Sequence, residues 1–84
     1  MSQEKQHAFY TKNKLMHRYI AVDTDFFFED FTADSMKDLI DTIEDFIKFD
    51  KDEFEQFKYI EFKDNMISVK SKLEYHFAVY KLLD

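Results

Sequence analysis

The apolar positions in the middle of this chain repeat with a helical period. Met36, Leu39, Ile40, Ile43, Phe46 and Ile47 fall at i, i+3, i+4, i+7, i+10 and i+11, the stripe that an amphipathic helix lays against a core. Asp34 or Ser35 can cap its start, and Ser35 with Asp38 three residues on resembles a capping box. Lys48 falls in the last turn, where a cation suits the helix dipole. The pattern predicts a helix over residues 35–49. A shorter helical turn is expected after it, with Asp52 as cap and Phe54 and Phe57 facing inward.

The flanks alternate with period two. A three-residue loop at Asp23-Thr24-Asp25 sets Val22 against Phe26, Ile20 against Phe28 and Arg18 against Asp30, with four apolar side chains on one face. A two-residue loop would oppose Ile20 to Glu29, so the longer loop is preferred. Downstream, Asp64-Asn65 as a two-residue turn pairs Phe62 with Ile67 and Ile60 with Val69. Both turn residues tolerate the left-handed backbone such turns require. A loop at Lys70-Ser71-Lys72 then places Leu73 against Val69 and Tyr75 against Ile67. The stretch Leu73–Leu83 reads two ways. As a strand it lines one face with Leu73, Tyr75, Phe77 and Val79; as a helix, with Leu73, Phe77, Tyr80 and Leu83. The tandem hairpin register favours the strand. The expected fold is α+β, a small antiparallel sheet with one amphipathic helix packed on it, in the order ββαβββ. Residues 1–14 are polar and read as a flexible segment; residues 15–84 read as a single domain.

Composition changes this picture mainly by exclusion. The 84 residues contain no Gly, Pro, Cys or Trp, and 16 of them are aromatic. Without Cys there is no disulfide framework and no thiolate metal site. Without Gly there is no phosphate-binding loop, dinucleotide fingerprint or EF-hand, each of which needs Gly at a sharp turn or close approach. The longest apolar runs are three residues, as in Phe26-Phe27-Phe28, so neither a signal peptide nor a membrane-spanning helix is expected. A cytoplasmic protein is the corresponding expectation.

Charge adds the one positive lead. The net charge of −6 averages over a strongly uneven chain: residues 23–55 hold 13 acids and 3 bases, a net of −10, whereas the flanks are mildly positive. On the expected helix Asp34, Asp38, Asp41 and Asp45 recur at i, i+4, i+7 and i+11, away from the apolar stripe. Their carboxylates step roughly 4.5–6 Å along the axis, on the scale of phosphates along a nucleic-acid strand. Glu44 belongs to the same surface, and Asp23, Asp25, Asp50, Asp52 and Glu53 extend it as a rim. Such a face repels nucleic acid and attracts a basic groove. The plain alternative is a solvated helix face, tempered by the pairs Lys37/Asp41 and Glu44/Lys48.

Other chemistry is weaker. Paired carboxylates need a sheltered pocket to divide acid and base roles, and the acids here alternate with apolar residues in a way that turns them outward. Divalent-cation binding at Asp23/Asp25 or Asp50/Asp52/Glu53 is a weak reading, since a hard cation needs six or more converging oxygens and Phe54 stands where an EF-hand pattern wants another oxygen ligand. His7, His17 and His76 lie far apart in the chain; His17 and His76 as sheet neighbours would be the one zinc candidate. Tyr19, Phe27, Tyr59 and Tyr80 on the second sheet face could serve as a base-stacking platform, but such platforms sit in basic surroundings. Tyr19, Ala21, Phe27 and Ala78 there suggest instead a homodimer or partner face. The reading is therefore a non-catalytic acidic inhibitor that mimics nucleic acid and blocks a basic nucleic-acid-binding protein. A phage counter-defence protein, anti-CRISPR or anti-restriction, is of this type. No cofactor, no metal, no membrane and no direct nucleic-acid contact are expected. The alternatives are an immunity or antitoxin protein and an oligomeric structural module.

Overall fold

A computed structural model of the chain describes residues 18–81. Five strands form one antiparallel sheet: β1 (Tyr19–Asp23), β2 (Phe31–Ala33), β3 (Tyr59–Lys63), β4 (Met66–Lys70) and β5 (Glu74–Lys81). Their spatial order is β2-β1-β5-β4-β3, which places the longest strand at the centre. Helix α1 (Met36–Asp45) follows β2 and continues into a wider turn over Phe46–Asp50. The fold is α+β in the order read from the sequence.

Ser35 is the helix cap. Its backbone is extended and its Oγ accepts the Asp38 N–H at 3.1 Å, satisfying one of the donors a helix start leaves open. The helix and the turn after it bury Leu39, Ile43 and Ile47 against Ala21, Ala33, Ile67, Val69, Tyr75 and Phe77. Each fully buried aliphatic side chain contributes about 1.5–3 kcal/mol. Alanines at positions 21 and 33 keep the sheet floor low beneath the helix. At the helix end the Lys51 N–H donates to the Phe46 carbonyl at 3.0 Å, a five-residue span. A continued α-helix would return position 50 to the stripe of Ile43 seven residues earlier. The wider turn leaves Asp50 exposed instead.

The β3–β4 hairpin has the expected register, with Phe62 opposite Ile67 and Ile60 opposite Val69. Asp64 and Asn65 take φ values of 54° and 61°, the two left-handed residues of a tight hairpin turn.

The first hairpin differs from the expected one. Ile20 faces Thr32, Ala21 faces Phe31 and Tyr19 faces Ala33, so residues 24–30 form a loop and Phe26–Phe28 are not a strand. The Arg18–Asp30 pairing falls with that register; the Arg18 N–H instead donates to the Ala33 carbonyl. The cause is Asp23, whose side chain is buried at the end of β1. Its carboxylate accepts the N–H groups of Asp25 at 2.8 Å and of Phe27 and Phe28 at 3.0 Å, gathering the loop around itself. Phe28 then turns back into the core, 5.0 Å from the Phe46 ring and 5.2 Å from Tyr75. The faces of β1 invert accordingly. Tyr19 and Ala21 pack toward the helix, while Ile20 clusters with Val22 and Tyr80 on the other side. Tyr19, Ala21, Phe27 and Ala78 therefore do not share the one face of the sheet that the sequence reading expects.

The last hairpin is shifted by two residues. Tyr75 faces Val69 and Phe77 faces Ile67, with Ser71–Leu73 as the loop. An even shift keeps every side chain on its expected face. Glu53 secures this register: its carboxylate accepts the Tyr75 hydroxyl at 2.9 Å and the Lys72 N–H at 3.3 Å. Lys70 and Glu74 pair across the loop at 3.2 Å. Phe54 points outward rather than inward, because the helical turn begins at Glu53, whose carbonyl accepts the Phe57 N–H at 2.9 Å, and only Phe57 reaches the core. The strand reading of the last segment holds over Glu74–Lys81. Residues 1–14, His7, His17, Leu82 and Leu83 lie outside the described residues, and with them the flexible-segment and His17/His76 expectations. No helix among the described residues is long and apolar enough to cross a membrane.

Candidate functional site

Helix α1 carries the acidic face where its period places it. Asp38, Asp41 and Asp45 are exposed, with Asp34 exposed just before the cap. Asp41 is bridged by Lys37 at 2.8 Å, and the Asp41 hydrogen bond and charge raise the Lys37 ammonium above its ordinary pKa. Glu44 is half-buried and paired with Lys48 at 2.6 Å. Lys48 also lies 4.7 Å from the centre of the Phe57 ring. The exposed Lys37–Asp41 pair is worth only tenths of a kcal/mol. Lys37 offsets Asp41 and Lys48 offsets Glu44, whereas Asp38 and Asp45 carry no ion pair among the described residues.

The rim divides. Asp25, Asp50 and Asp52 are exposed and continue the negative surface beyond the helix. Asp23 and Glu53 do not. They are 1% and 6% exposed, and their oxygens are committed to loop amides and to Tyr75. Each is an internal fastening that a partner does not reach. The Asp30 carboxyl is held above its ordinary range by burial and by the neighbouring Glu29 charge, so negative charge is crowded before β2.

The strand polarities bring a second feature together. The end of β1, the starts of β2, β3 and β5, the end of β4 and the end of α1 all meet at one end of the sheet. The loops there carry Phe26, Phe27, Phe49, Phe54 and Leu73, all more than half exposed. Among the described residues, every exposed large apolar side chain except Phe62 lies at this end, Tyr59 included. Phe49 and Phe54 pair with ring centres 5.7 Å apart. Exposed apolar clusters interleaved with charge are a common mark of protein-binding surfaces. The sequence pattern places Phe54 in the core and Phe26 on a strand, and so hides this cluster. The one signal of it is the density of aromatics beside turn-forming Asp residues.

A serine, a histidine and a carboxylate also come together on β4 and β5. On the outer face His76 Nδ1 lies 3.4 Å from Ser68 Oγ, and its Nε2 lies 3.7 Å from Glu74 Oε2. Both separations are long for hydrogen bonds that hold a nucleophile and its base. The imidazole and carboxylate are also open to solvent, without the shelter that tunes acid–base groups. Among the described residues no group of three or more His, Cys, Asp or Glu side chains is arranged to hold a metal ion.

No protein-family model matches this chain, and neither a curated protein nor a solved structure matches it. The surface itself is what points to a function.

Proposed function

We propose that this protein is a non-catalytic acidic inhibitor that occupies the basic nucleic-acid-binding surface of a partner protein. The observation that carries the reading is the exposed line Asp34, Asp38, Asp41 and Asp45 along one helix face, continued by Asp50 and Asp52. Asp38, Asp41 and Asp45 project from one helix as acceptors for arginine and lysine, with Lys37 the cation a partner displaces at Asp41. Asp25 adds charge from the loop after β1. The partner is a nucleic-acid-processing enzyme, and a counter-defence role against a CRISPR effector or restriction enzyme is the biological setting that suits such a surface.

Competition decides the matter. Purified CRISPR effector nucleases and restriction endonucleases are loaded with labelled nucleic acid and titrated with the protein at several salt concentrations. Displacement is expected for a cognate enzyme, weakening about tenfold or more between 50 and 200 mM salt. The double reversal Asp38→Lys/Asp41→Lys is expected to weaken it by a comparable factor. Displacement indifferent to both salt and reversal would sink the proposal.

A further inference from the structure

Between the second half of α1 and the start of β2 the surface forms an open groove of about 470 Å³, lined by Phe31, Thr42, Asp45, Phe46, Phe49 and Asp50. Its floor is aromatic: Phe31 and Phe46 meet edge to face with centres 5.1 Å apart. Phe49 is 62% exposed. Asp45 and Asp50 stand on the rim, exposed and without an ion pair among the described residues. The wide turn at the helix end sets this arrangement, because it leaves Asp50 beside Phe46 and Phe49 rather than on the core stripe. The lysines closest in sequence are engaged elsewhere, Lys48 with Glu44 at 2.6 Å and Lys51 over the Phe28 ring at 5.3 Å. Glu29 and Asp30 directly precede Phe31 and add negative charge to this side.

We infer that the groove binds the guanidinium group of an arginine presented by the partner. The inference rests on the proposed function for the partner's identity and names the side chain it inserts. An aromatic floor with two unpaired carboxylates on its rim is complementary in charge to a cation and in shape to a flat one. Guanidinium stacks on a ring face while its edge donates to carboxylate oxygens; an ammonium is more strongly hydrated and presents no flat face.

The test needs no partner. Acetyl-Gly-Arg-Gly-amide and its lysine counterpart are titrated into isotope-labelled protein, and amide shifts are followed by NMR. The arginine peptide is expected to give saturable shifts centred on residues 42–50, with lysine binding about threefold or more weaker. Asp45→Asn/Asp50→Asn and Phe49→Ala, all at exposed positions, are each expected to weaken arginine binding by about threefold to fivefold while leaving distant amides in place. Glu61→Gln/Asp64→Asn removes the same two charges at the far edge of the sheet and is expected to change it less than about twofold. Equal loss in both double variants, equal binding of the two peptides, or shifts spread along the helix around Asp38 would overturn the inference. Those results leave the competition assay with Asp38→Lys/Asp41→Lys untouched, so the two proposals fail separately.

Discussion

Tyr75 and Glu53 show how much a single polar contact organises in this protein. The Tyr75 hydroxyl donates to Glu53 at 2.9 Å, joining the segment after the helix to the central strand. Burial first, and then the hydrogen bond and charge of Glu53, push the tyrosine pKa up to about 12. The folded chain thus holds this proton more tightly than the unfolded chain, whose tyrosine ionises near its ordinary value of 10. The stabilisation is complete below pH 10 and is lost as pH rises toward 12. A difference of that size between the folded and unfolded chains is worth roughly 2–3 kcal/mol as an upper bound. Urea unfolding followed from pH 9 to 12 is expected to show a steeper loss of stability for the wild type than for Tyr75→Phe, because the exposed tyrosines and lysines titrate in both and cancel. Parallel curves would remove the buried hydroxyl from the alkaline transition. Asp23 plays the corresponding part at the end of β1, and neither acid is distinguishable in the sequence from its exposed neighbours. A carboxylate that folds a loop around itself and one that faces solvent have the same letter and the same local pattern.

Elements governed by short-range geometry are legible in the sequence, and elements governed by such distant polar contacts are not. The β3–β4 hairpin follows from two adjacent residues able to adopt positive φ between alternating apolar positions, and Asp64-Asn65 does this. The helix follows from its period and cap. The β1–β2 hairpin is hidden because Val22-Asp23-Thr24-Asp25-Phe26 looks like a tight turn between apolar strands, while the actual loop is set by three amides converging on Asp23. The acidic helix face is readable for the same reason as the helix; the aromatic groove is not, because the wide turn at Phe46–Asp50 departs from the α period. The cap carries a direct prediction. Ser35→Ala removes the acceptor for the Asp38 N–H and is expected to cost about 1 kcal/mol in urea or thermal unfolding. Ser35→Asp is expected to recover most of that, since a carboxylate also caps and suits the helix N-terminus. No loss in the alanine variant would mean that water serves the amide equally well.

At the scale of the molecule, two surfaces of opposite character share one small body. The helix face is charged, and the end where the loops converge is aromatic, with Phe26, Phe27, Phe49 and Phe54 open to solvent. Phe26 adopts a φ of 60°, a left-handed conformation that costs an aromatic residue roughly 1 kcal/mol or more, so the loop holds this ring outward against local preference. At neutral pH the net charge of −6 is expected to oppose association through these rings. Near the sequence pI of about 4.9 that repulsion vanishes, and the aromatic end is the surface left to drive association. Light scattering at pH 7.5 and pH 4.9 is therefore expected to show monomers in the first condition and reversible self-association in the second. In the variant Phe26→Asn/Phe27→Ser/Phe49→Ser/Phe54→Ser the low-pH association is expected to disappear, with the fold kept because all four rings lie outside the core and Asn accepts the left-handed backbone at position 26. Association undiminished in that variant would assign it to the exposed β3 edge, where Tyr59–Lys63 has neighbours on one side only. Loss of association would establish that the aromatic end is sticky in its own right and that the acids restrain it, the balance a partner with basic rims around apolar pockets would tip toward binding.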